Sequence, residues 1–282
     1  MIINGQFLAE KIKREIKKKV VLMKKKPGLA MILVGDDPAS KIYLREKEKA
    51  CKKVGFYSRR INLAVNISQA KLISQIKKLN KNTKIDGILV QLPLPKHIDS
   101  QTVIKTIDPQ KDVDCFHPQN VGKLALLNKK VDWDQLLVPC TPKGVIKLIQ
   151  STGVKIAGKK AVVIGRSNLT GKPTALLLLA LGATVTICHS QTKELVQETR
   201  QADILVAAAG QAKMIKKNMV KKGAIVVDVG INRIKGKLVG DADFDQVEKV
   251  AGFVTPVPGG VGPMTVACLL ENNLLLAESA FC

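Results

Sequence analysis

Aromatic residues are scarce: one tryptophan, two tyrosines and six phenylalanines make up 3% of the chain. That removes most of the stacking platforms on which single-stranded nucleic acid is held by its bases. Histidine is nearly absent too, and none of His97, His117 and His189 stands four residues from another. The six cysteines, at 51, 115, 140, 188, 268 and 282, contain no CxxC pair, so no metal site is expected. Scattered thiols in a chain without secretory features point to reduced cysteines and the cytoplasm. Long apolar runs are also missing. The longest, Ala175 to Leu181, falls far short of the roughly 20 residues a membrane span needs. Residues 1 to 22 are lysine-rich, with Leu8, Ile12, Ile16 and Val20 on one stripe. Glu10 and Glu15 interrupt them and no signal-type apolar core follows, which favours a first helix of the fold over a transit peptide.

Acidic residues number 23 against 46 basic ones, leaving a net charge of +23. Such a balance is a common footprint of nucleic-acid binding. The lysines are spread along the whole chain, as at Lys17 to Lys19, Lys24 to Lys26, Lys52, Lys53, Lys216 and Lys217, which suits a solvated surface. A general positive field would equally attract small polyanions, so charge alone leaves both readings open. With 282 residues, 46% of them hydrophobic, the chain is long enough for two domains with real cores.

The most informative stretch is Ala161 to Ser190, AVVIGRSNLTGKPTALLLLALGATVTICHS. Ala161 to Ile164 reads as a buried parallel strand broken by Gly165, Gly171 and Pro173 suit a helix start, Thr174 to Leu181 is unbroken helix-forming sequence ending at Gly182, and Ala183 to Ile187 reads as the next strand. The first amides of such a helix lack intrahelical partners and sit at its positive end, a ready site for a phosphate. The GxGxxG fingerprint of dinucleotide binding is absent, since the small residues fall at Gly165, Ser167 and Gly171. The acid expected at the end of the second strand is absent too: Cys188, His189 and Ser190 stand there. With no carboxylate to repel a 2′-phosphate and Arg166 in the turn to pair with one, the unit favours NADP over NAD. An ordinary strand-to-helix connection with an incidental arginine is the alternative.

Earlier in the chain, Leu29 to Val34 is an apolar run closed by Gly35, and Ser40 is expected to cap the helix that follows. Stepping Lys41 to Val54 at about 100° per residue puts Tyr43, Lys47, Ala50, Cys51 and Val54 on one face. A lysine within an apolar stripe either snorkels out or is partly desolvated, and desolvation moves an ammonium toward the range useful for proton transfer. Ser58 to Val65 and Ile85 to Gln91 read as strands around a helix at Ser68 to Leu79. Ligands gather beyond the carboxyl ends of parallel strands, where Asp36, Gln91, Pro93 and Pro95 fall. In KDVDCFH, at 111 to 117, either Asp112 or Asp114 could anchor a ligand, although turn chemistry is the commoner use of such a loop. Pro139, Thr141 and Pro142 suggest a hinge, and strands starting near 161, 184, 204 and 224 alternate with helices beyond it. Pro256 to Pro263 form a glycine-rich loop open to a flat ligand, and Met264 to Ala280 a long apolar helix. The expected fold is α/β in two domains: 1–139, completed by a returning helix at 264–282, and a Rossmann-like doubly wound domain at 140–263.

Together, DDPASKIYLREKEKAC (36 to 51), DGILVQLPLP (86 to 95), KDVDCFHPQNVG (111 to 122), PCTPKG (139 to 144), VVIGRSNLTGKP (162 to 173) and TPVPGGVGPMT (255 to 265) closely resemble the bifunctional methylenetetrahydrofolate dehydrogenase/cyclohydrolases. The resemblance implies a folate-binding catalytic domain and an NADP domain around a cleft. It implies a homodimer joined through the NADP domains, and tetrahydrofolate derivatives, polyglutamylated forms included, as substrates in one-carbon metabolism. It implies hydride transfer from 5,10-methylenetetrahydrofolate to NADP, then hydrolysis of the methenyl product to 10-formyltetrahydrofolate. Lys47 matches the catalytic lysine, Tyr43 its partner and Gln91 the glutamine that orients it. Asp114 matches the carboxylate that grips the pterin, and Ser40, Pro258 and Gly259 match other substrate-binding positions. Gly165, Arg166, Ser167, Ser190, Ile231 and Thr265 match cofactor-binding positions. Cys115 stands where the family usually has glycine, and Thr170 where it usually has valine. A dehydrogenase of another small substrate would not require the Tyr43, Lys47, Gln91 and Asp114 set, and a basic nucleic-acid-binding protein would explain none of the motifs.

Overall fold

The computed structural model describes residues 1–127 and 136–279. In chain order the elements are α1 (Gly5–Leu22), β1 (Gly28–Val34), α2 (Pro38–Val54), β2 (Tyr57–Leu63), α3 (Gln69–Asn80), β3 (Gly87–Val90), α4 (Ser100–Thr106) and α5 (Pro118–Ala125). They continue with α6 (Cys140–Gln150), β4 (Lys160–Ile164), α7 (Gly171–Ala180), β5 (Thr184–Cys188), α8 (Leu195–Arg200), β6 (Ile204–Ala207) and β7 (Ile225–Asp228). A hairpin of β8 (Asn232–Ile234) and β9 (Lys237–Val239), then α9 (Phe244–Val247), β10 (Phe253–Val254) and α10 (Val261–Ser279), complete the described chain. The chain forms two compact units. The N-terminal unit holds Glu10–Gly122, a segment ending at Val138 and the chain from Val266; the C-terminal unit holds Met1–Ala9, a segment from Lys123 and Pro139–Thr265.

The N-terminal unit is built on a parallel sheet ordered β2-β1-β3. Every residue of the central strand β1 is buried, as expected of an apolar run with neighbours on both sides and helices over its faces. Ile32, Leu72, Ile76, Ile88 and Val103 form the core between sheet and helices. The start of α2 corrects the expected cap. Asp37, not Ser40, is the N-cap, its carboxylate accepting from the Ser40 backbone N–H at 2.7 Å, with Pro38 opening the helix. Proline suits that position because its missing N–H would be unpaired there anyway. Ser40 lies inside the first turn, 4% exposed. At the other end Gly55, with φ of 85°, closes the helix in the left-handed conformation. The face of α2 that packs inward carries Ser40, Leu44, Ala50, Cys51 and Val54, so Tyr43 and Lys47 stand at its margin rather than its centre.

In the C-terminal unit the parallel sheet runs β10-β7-β6-β4-β5. Counted within the unit this is the doubly wound order 2-1-3-4-5, which reverses between β4 and β6 and leaves a crevice there. Val162, Ile164, Leu205, Ala207, Val226 and Val254 line its core. The N-terminus belongs here rather than with the rest of 1–139: Ile2 bridges Val254, and the Ile3 amide donates to the Val254 carbonyl at 2.8 Å. Gly5 permits this, because a Cβ on it would lie 2.0 Å from the Gly260 carbonyl oxygen. The expected hinge at Pro139 to Pro142 is the first turn of α6, where proline costs the helix little. Helix α7 begins at Gly171, where the sequence offered a helix start, and α10 at Val261, earlier than Met264. Ala280 to Cys282 of the expected last helix lie outside the described residues.

Candidate active site

In the N-terminal unit, α2 leaves the carboxyl end of β1, and Gln91 follows the carboxyl end of β3, which pairs with β1. The sheet therefore brings residues 44 positions apart together: Lys47 Nζ donates to Gln91 Oε1 at 3.1 Å. The glutamine is held from both sides, its amide N–H donating to the Ile32 carbonyl at 2.9 Å and its Nε2 to the Leu92 carbonyl at 2.8 Å. The second bond decides that the oxygen end faces the lysine. Ser40, Tyr43 and Lys47 fall at i, i+3 and i+7 of α2 and share a face. One turn beyond Lys47, Cys51 is a thiol pushed up to about 12, first by burial and then by Glu48, so it offers no nucleophile.

The loop after Lys111 sorts its two aspartates. Asp112, 2% exposed, accepts from the His117 amide at 2.8 Å and from Asn120 Nδ2 at 3.0 Å. Burial raises its pKa, and those hydrogen bonds pull it back. Asp112 is thus a brace inside the loop. Asp114 is half-buried and two residues on, beyond Val113 and next to Cys115, whose φ is 58°.

In the C-terminal unit the turn after β4 is shaped by missing side chains. A Cβ on Gly165, where φ is 120°, would lie 2.2 Å from the Ala208 carbonyl oxygen, and one on Gly171 would lie 2.1 Å from the Gly165 carbonyl oxygen. The small residues thus let the turn, the end of β6 and the start of α7 pack together. The first amides of α7 are not held open for a phosphate as expected. Ser167 Oγ accepts from the amides of Thr170 at 3.2 Å and Gly171 at 3.3 Å, and the Ser167 carbonyl from Lys172 at 3.1 Å. Arg166 is exposed and reaches across to the segment after β5, its guanidinium 3.5 Å from Gln191 Oε1, beside exposed Ser190. No acid occurs from Cys188 to Thr192. Ile231, 48% exposed, follows the end of β7. Thr265 Oγ1 lies 3.0 Å from Thr141 Oγ1. Pro258 is exposed, and a Cβ on Gly259, where φ is 107°, would meet only Pro256 at an ordinary 3.8 Å. Among the described residues no group of three or more His, Cys, Asp and Glu could hold a metal ion.

Residues 3–114 match the tetrahydrofolate dehydrogenase/cyclohydrolase catalytic domain, and residues 139–281 match the NAD(P)-binding domain of the same family. The chain belongs to the tetrahydrofolate dehydrogenase/cyclohydrolase family. It is 54% identical to the bifunctional protein FolD of Ruthia magnifica over 278 residues, 98% of either chain. The crystal structure of the FolD methylenetetrahydrofolate dehydrogenase/cyclohydrolase from Campylobacter jejuni superposes with a TM-score of 0.95 at 48% identity, covering 99% of each chain. The Trypanosoma brucei enzyme, solved with NADP cofactor and an inhibitor, gives 0.94 at 38% identity, covering 100% of this chain and 98% of that one.

Two buried carboxylates of this family member escape sequence reasoning. Asp241, fully buried, accepts from the amides of Ala209 at 2.7 Å and Gly210 at 2.9 Å, and from Asn232 Nδ2 at 2.9 Å. Asp228, 3% exposed, accepts from the amides of Gly230, Asp241 and Ala242 at 2.7–2.9 Å. Between them they tie the loops after β6 and β7, the second carrying Ile231, to the segment before α9. Gly230 and Gly240 make room, since a Cβ on either would lie within 2.2 Å of an aspartate oxygen. The available signal was an acid at the end of an apolar strand, in VVDVG and again in VGDAD. Helix α10 hides a third such feature: Asn272 and Asn273 sit fully buried after Glu271, between the apolar runs VACLL and LLLA.

Proposed function

We propose that this chain oxidises 5,10-methylenetetrahydrofolate with NADP and hydrolyses the resulting methenyl cation to 10-formyltetrahydrofolate. The observation that carries the proposal is the 3.1 Å contact between Lys47 and Gln91 at the carboxyl edge of the N-terminal sheet, with Tyr43 and Ser40 on the same helix face. Membership of the family supplies the pair of reactions.

NADP, when bound, accepts the hydride lost by the methylene carbon. Arg166 and Ser190 suit its 2′-phosphate because they bring a guanidinium and a hydroxyl together where no carboxylate intrudes. Ser167 serves that site by shaping the turn, and Ile231 and Thr265 are the further contacts we assign to the cofactor. On the folate side, Asp114 holds the pterin, with Ser40, Pro258 and Gly259 as additional substrate contacts. Gln91 orients Lys47 by accepting one of its hydrogens, and Tyr43, one turn away, shares the face that meets the one-carbon unit. In the second reaction a water adds to the methenyl carbon, the carbon–N5 bond opens with N5 taking one of the water's protons, and the 10-formyl product forms as the other proton leaves. Lys47 moves that proton.

The domain assignment we favour is folate binding by the N-terminal unit with α10, and NADP binding by the C-terminal unit. A homodimer through the C-terminal unit is supported by its edge strand β5, exposed at Thr184, Thr186 and Ile187, with Leu179 at 59% and Val196 at 38% exposure nearby in sequence. Cytoplasmic residence is supported by cysteines at 51, 115, 140, 188 and 268 that form no disulfide. No helix among the described residues is long and apolar enough to cross a membrane. The lysine-rich surface suits polyglutamylated folates, and the dispersal of its lysines argues against nucleic acid as the partner. The test is to mix the protein with NADP and methylenetetrahydrofolate and follow methenyl absorbance. Its rise and decay are expected; no rise overturns the proposal, and a rise without enzymatic decay removes the second activity.

A further inference from the structure

We infer that Asn272 is a positioning residue for folate binding, setting the direction of Asp114 from the buried side of its loop. This rests on the assignment of Asp114 to the pterin. Asn272 is fully buried on α10 and lies within the N-terminal unit. Its Nδ2 donates to the Val113 carbonyl at 3.0 Å and to the Val138 carbonyl at 2.8 Å, and stands 3.9 Å from Cys115 Sγ. The two residues flanking Asp114 are therefore both met by one side chain. Val113 is held by its carbonyl, and Cys115 stands in the left-handed region at φ 58°.

The rest of the loop is fixed independently. Asp112 is braced by His117 and Asn120, and the Ile88 amide donates to the Lys111 carbonyl at 2.7 Å. The peptide between Val113 and Asp114 is the part whose orientation depends on α10. Asn273 packs beside it against Gly87, where a Cβ would lie 2.1 Å from its Oδ1. A buried amide that donates two hydrogens to two separated strands of backbone fixes geometry in a way an apolar residue of equal size does not, because both hydrogen bonds are directional. The carboxylate of Asp114 projects from a backbone whose tilt that amide sets.

The test is a double-mutant cycle in the intact enzyme. Asn272→Ala is expected to raise the folate KM about tenfold, the scale of a lost pair of neutral hydrogen bonds, with kcat and the NADP KM within about twofold of wild type. In an Asp114→Ala background the same change is expected to add little, because the residue it positions is gone. Leu276→Ala, which truncates another buried side chain of α10, is the control: it lowers stability without the folate-specific effect. If the alanine variant does not fold, Asn272→Leu keeps the branched shape, loses the donors without adding a charge and gives the same readout. Equal KM increases in both backgrounds, an unchanged folate KM, or parallel loss of folate and NADP affinity would overturn the inference. An unaltered folate KM in Asp114→Ala alone overturns the Asp114 assignment as well, which separates the two failures.

Discussion

The two units make their sites from different material. Of the functional groups we assign to the N-terminal unit, Lys47 on α2 and Gln91 at the end of β3 stand on rigid elements, while Asp114 lies on a braced loop. In the C-terminal unit they lie on loops, shaped by glycines such as Gly165 and Gly171 and tied by the buried carboxylates of Asp228 and Asp241. The difference suits the two tasks. Moving a proton at one carbon needs a group held to a fraction of an ångström, whereas a long, flat cofactor needs backbone that can come close along its length. Substitutions at Lys47 and Gln91 should therefore act on chemistry, those around Asp114 on folate affinity, and those in the second unit on cofactor affinity and on loop stability.

The sharpest break in that comparison is at Lys47. An arginine keeps a positive charge and can still donate to Gln91, but its guanidinium does not give up a proton in proteins. Lys47→Arg is expected to lower hydrolysis of the methenyl compound by about a hundredfold or more while leaving measurable hydride transfer, which depends mainly on how the reactants are held. Lys47→Met is expected to damage both. Time courses of methenyl absorbance for the two variants check this. Hydrolysis near the wild-type rate in the arginine variant would leave Lys47 as a positioning group only.

The carboxylate tie in the C-terminal unit carries the next effect. Burial, reinforced by Asp241, holds Asp228 at about 6 against an ordinary 3.8, despite three amide donors. A carboxyl raised in the folded state binds its proton more tightly there than when unfolded. Its contribution to stability is complete below about 3.8 and is lost as pH rises through about 6. At about 1.4 kcal/mol per pH unit the gap amounts to about 3 kcal/mol. Urea unfolding at a series of pH values is expected to show wild type losing that amount relative to Asp228→Asn between about pH 4 and 7. A pH-independent difference would mean that Asp228 does not titrate in that range.

Such ties explain what the sequence left unread. The parallel strands, the turn at Gly165 and the place of Gln91 at a strand end were legible because each depends on residues near one another in the chain, whereas Tyr43 and Lys47 were read into the apolar stripe of α2 and stand at its margin. Asp241 was not, because its partners are the backbone amides of Ala209 and Gly210, some 30 residues earlier, and backbone partners leave no mark on side-chain identity. Asn272 was hidden likewise, its carbonyl partners lying more than 130 residues away. Ser40 was mistaken for a cap although the chain offered a better signal, Asp37 followed by Pro38. The amides at the start of α7 were expected to face a ligand, but Ser167 lies close enough in the loop to take them, a local competition that strand-and-helix patterning does not register.

Arg166 tests the cofactor side at lower amplitude. It is exposed, so its worth depends on pairing with a 2′-phosphate rather than on the fold. Arg166→Ala is expected to reduce the ratio of NADP to NAD efficiency by roughly tenfold or more, the scale of one charge-assisted contact, with little change in the folate KM. Steady-state kinetics with both cofactors measure it. An unchanged ratio would move the phosphate contact elsewhere.

The smallest effect concerns Cys115, a side chain in a backbone conformation that favours glycine. At a φ of 58° a side chain is strained, by about 1–2 kcal/mol for a residue with a Cβ. Glycine escapes that penalty but gives back roughly 0.5–1 kcal/mol in unfolded-chain entropy. The cysteine is 1% exposed, with its Sγ 3.8 Å from the Asp112 carbonyl oxygen, so buried contacts offset part of the strain. Comparing cysteine directly with glycine mixes these terms, whereas comparing alanine with glycine isolates the backbone, since neither retains the sulfur. At an ordinary helical position alanine is the more stable of the two. At 115 the order is expected to invert, with Cys115→Gly more stable than Cys115→Ala by about 0.5–1 kcal/mol in urea denaturation. Alanine proving the more stable would mean that the loop relaxes out of the left-handed conformation once the sulfur is gone, and that the sulfur, held between Asp112 and Asn272, had imposed it.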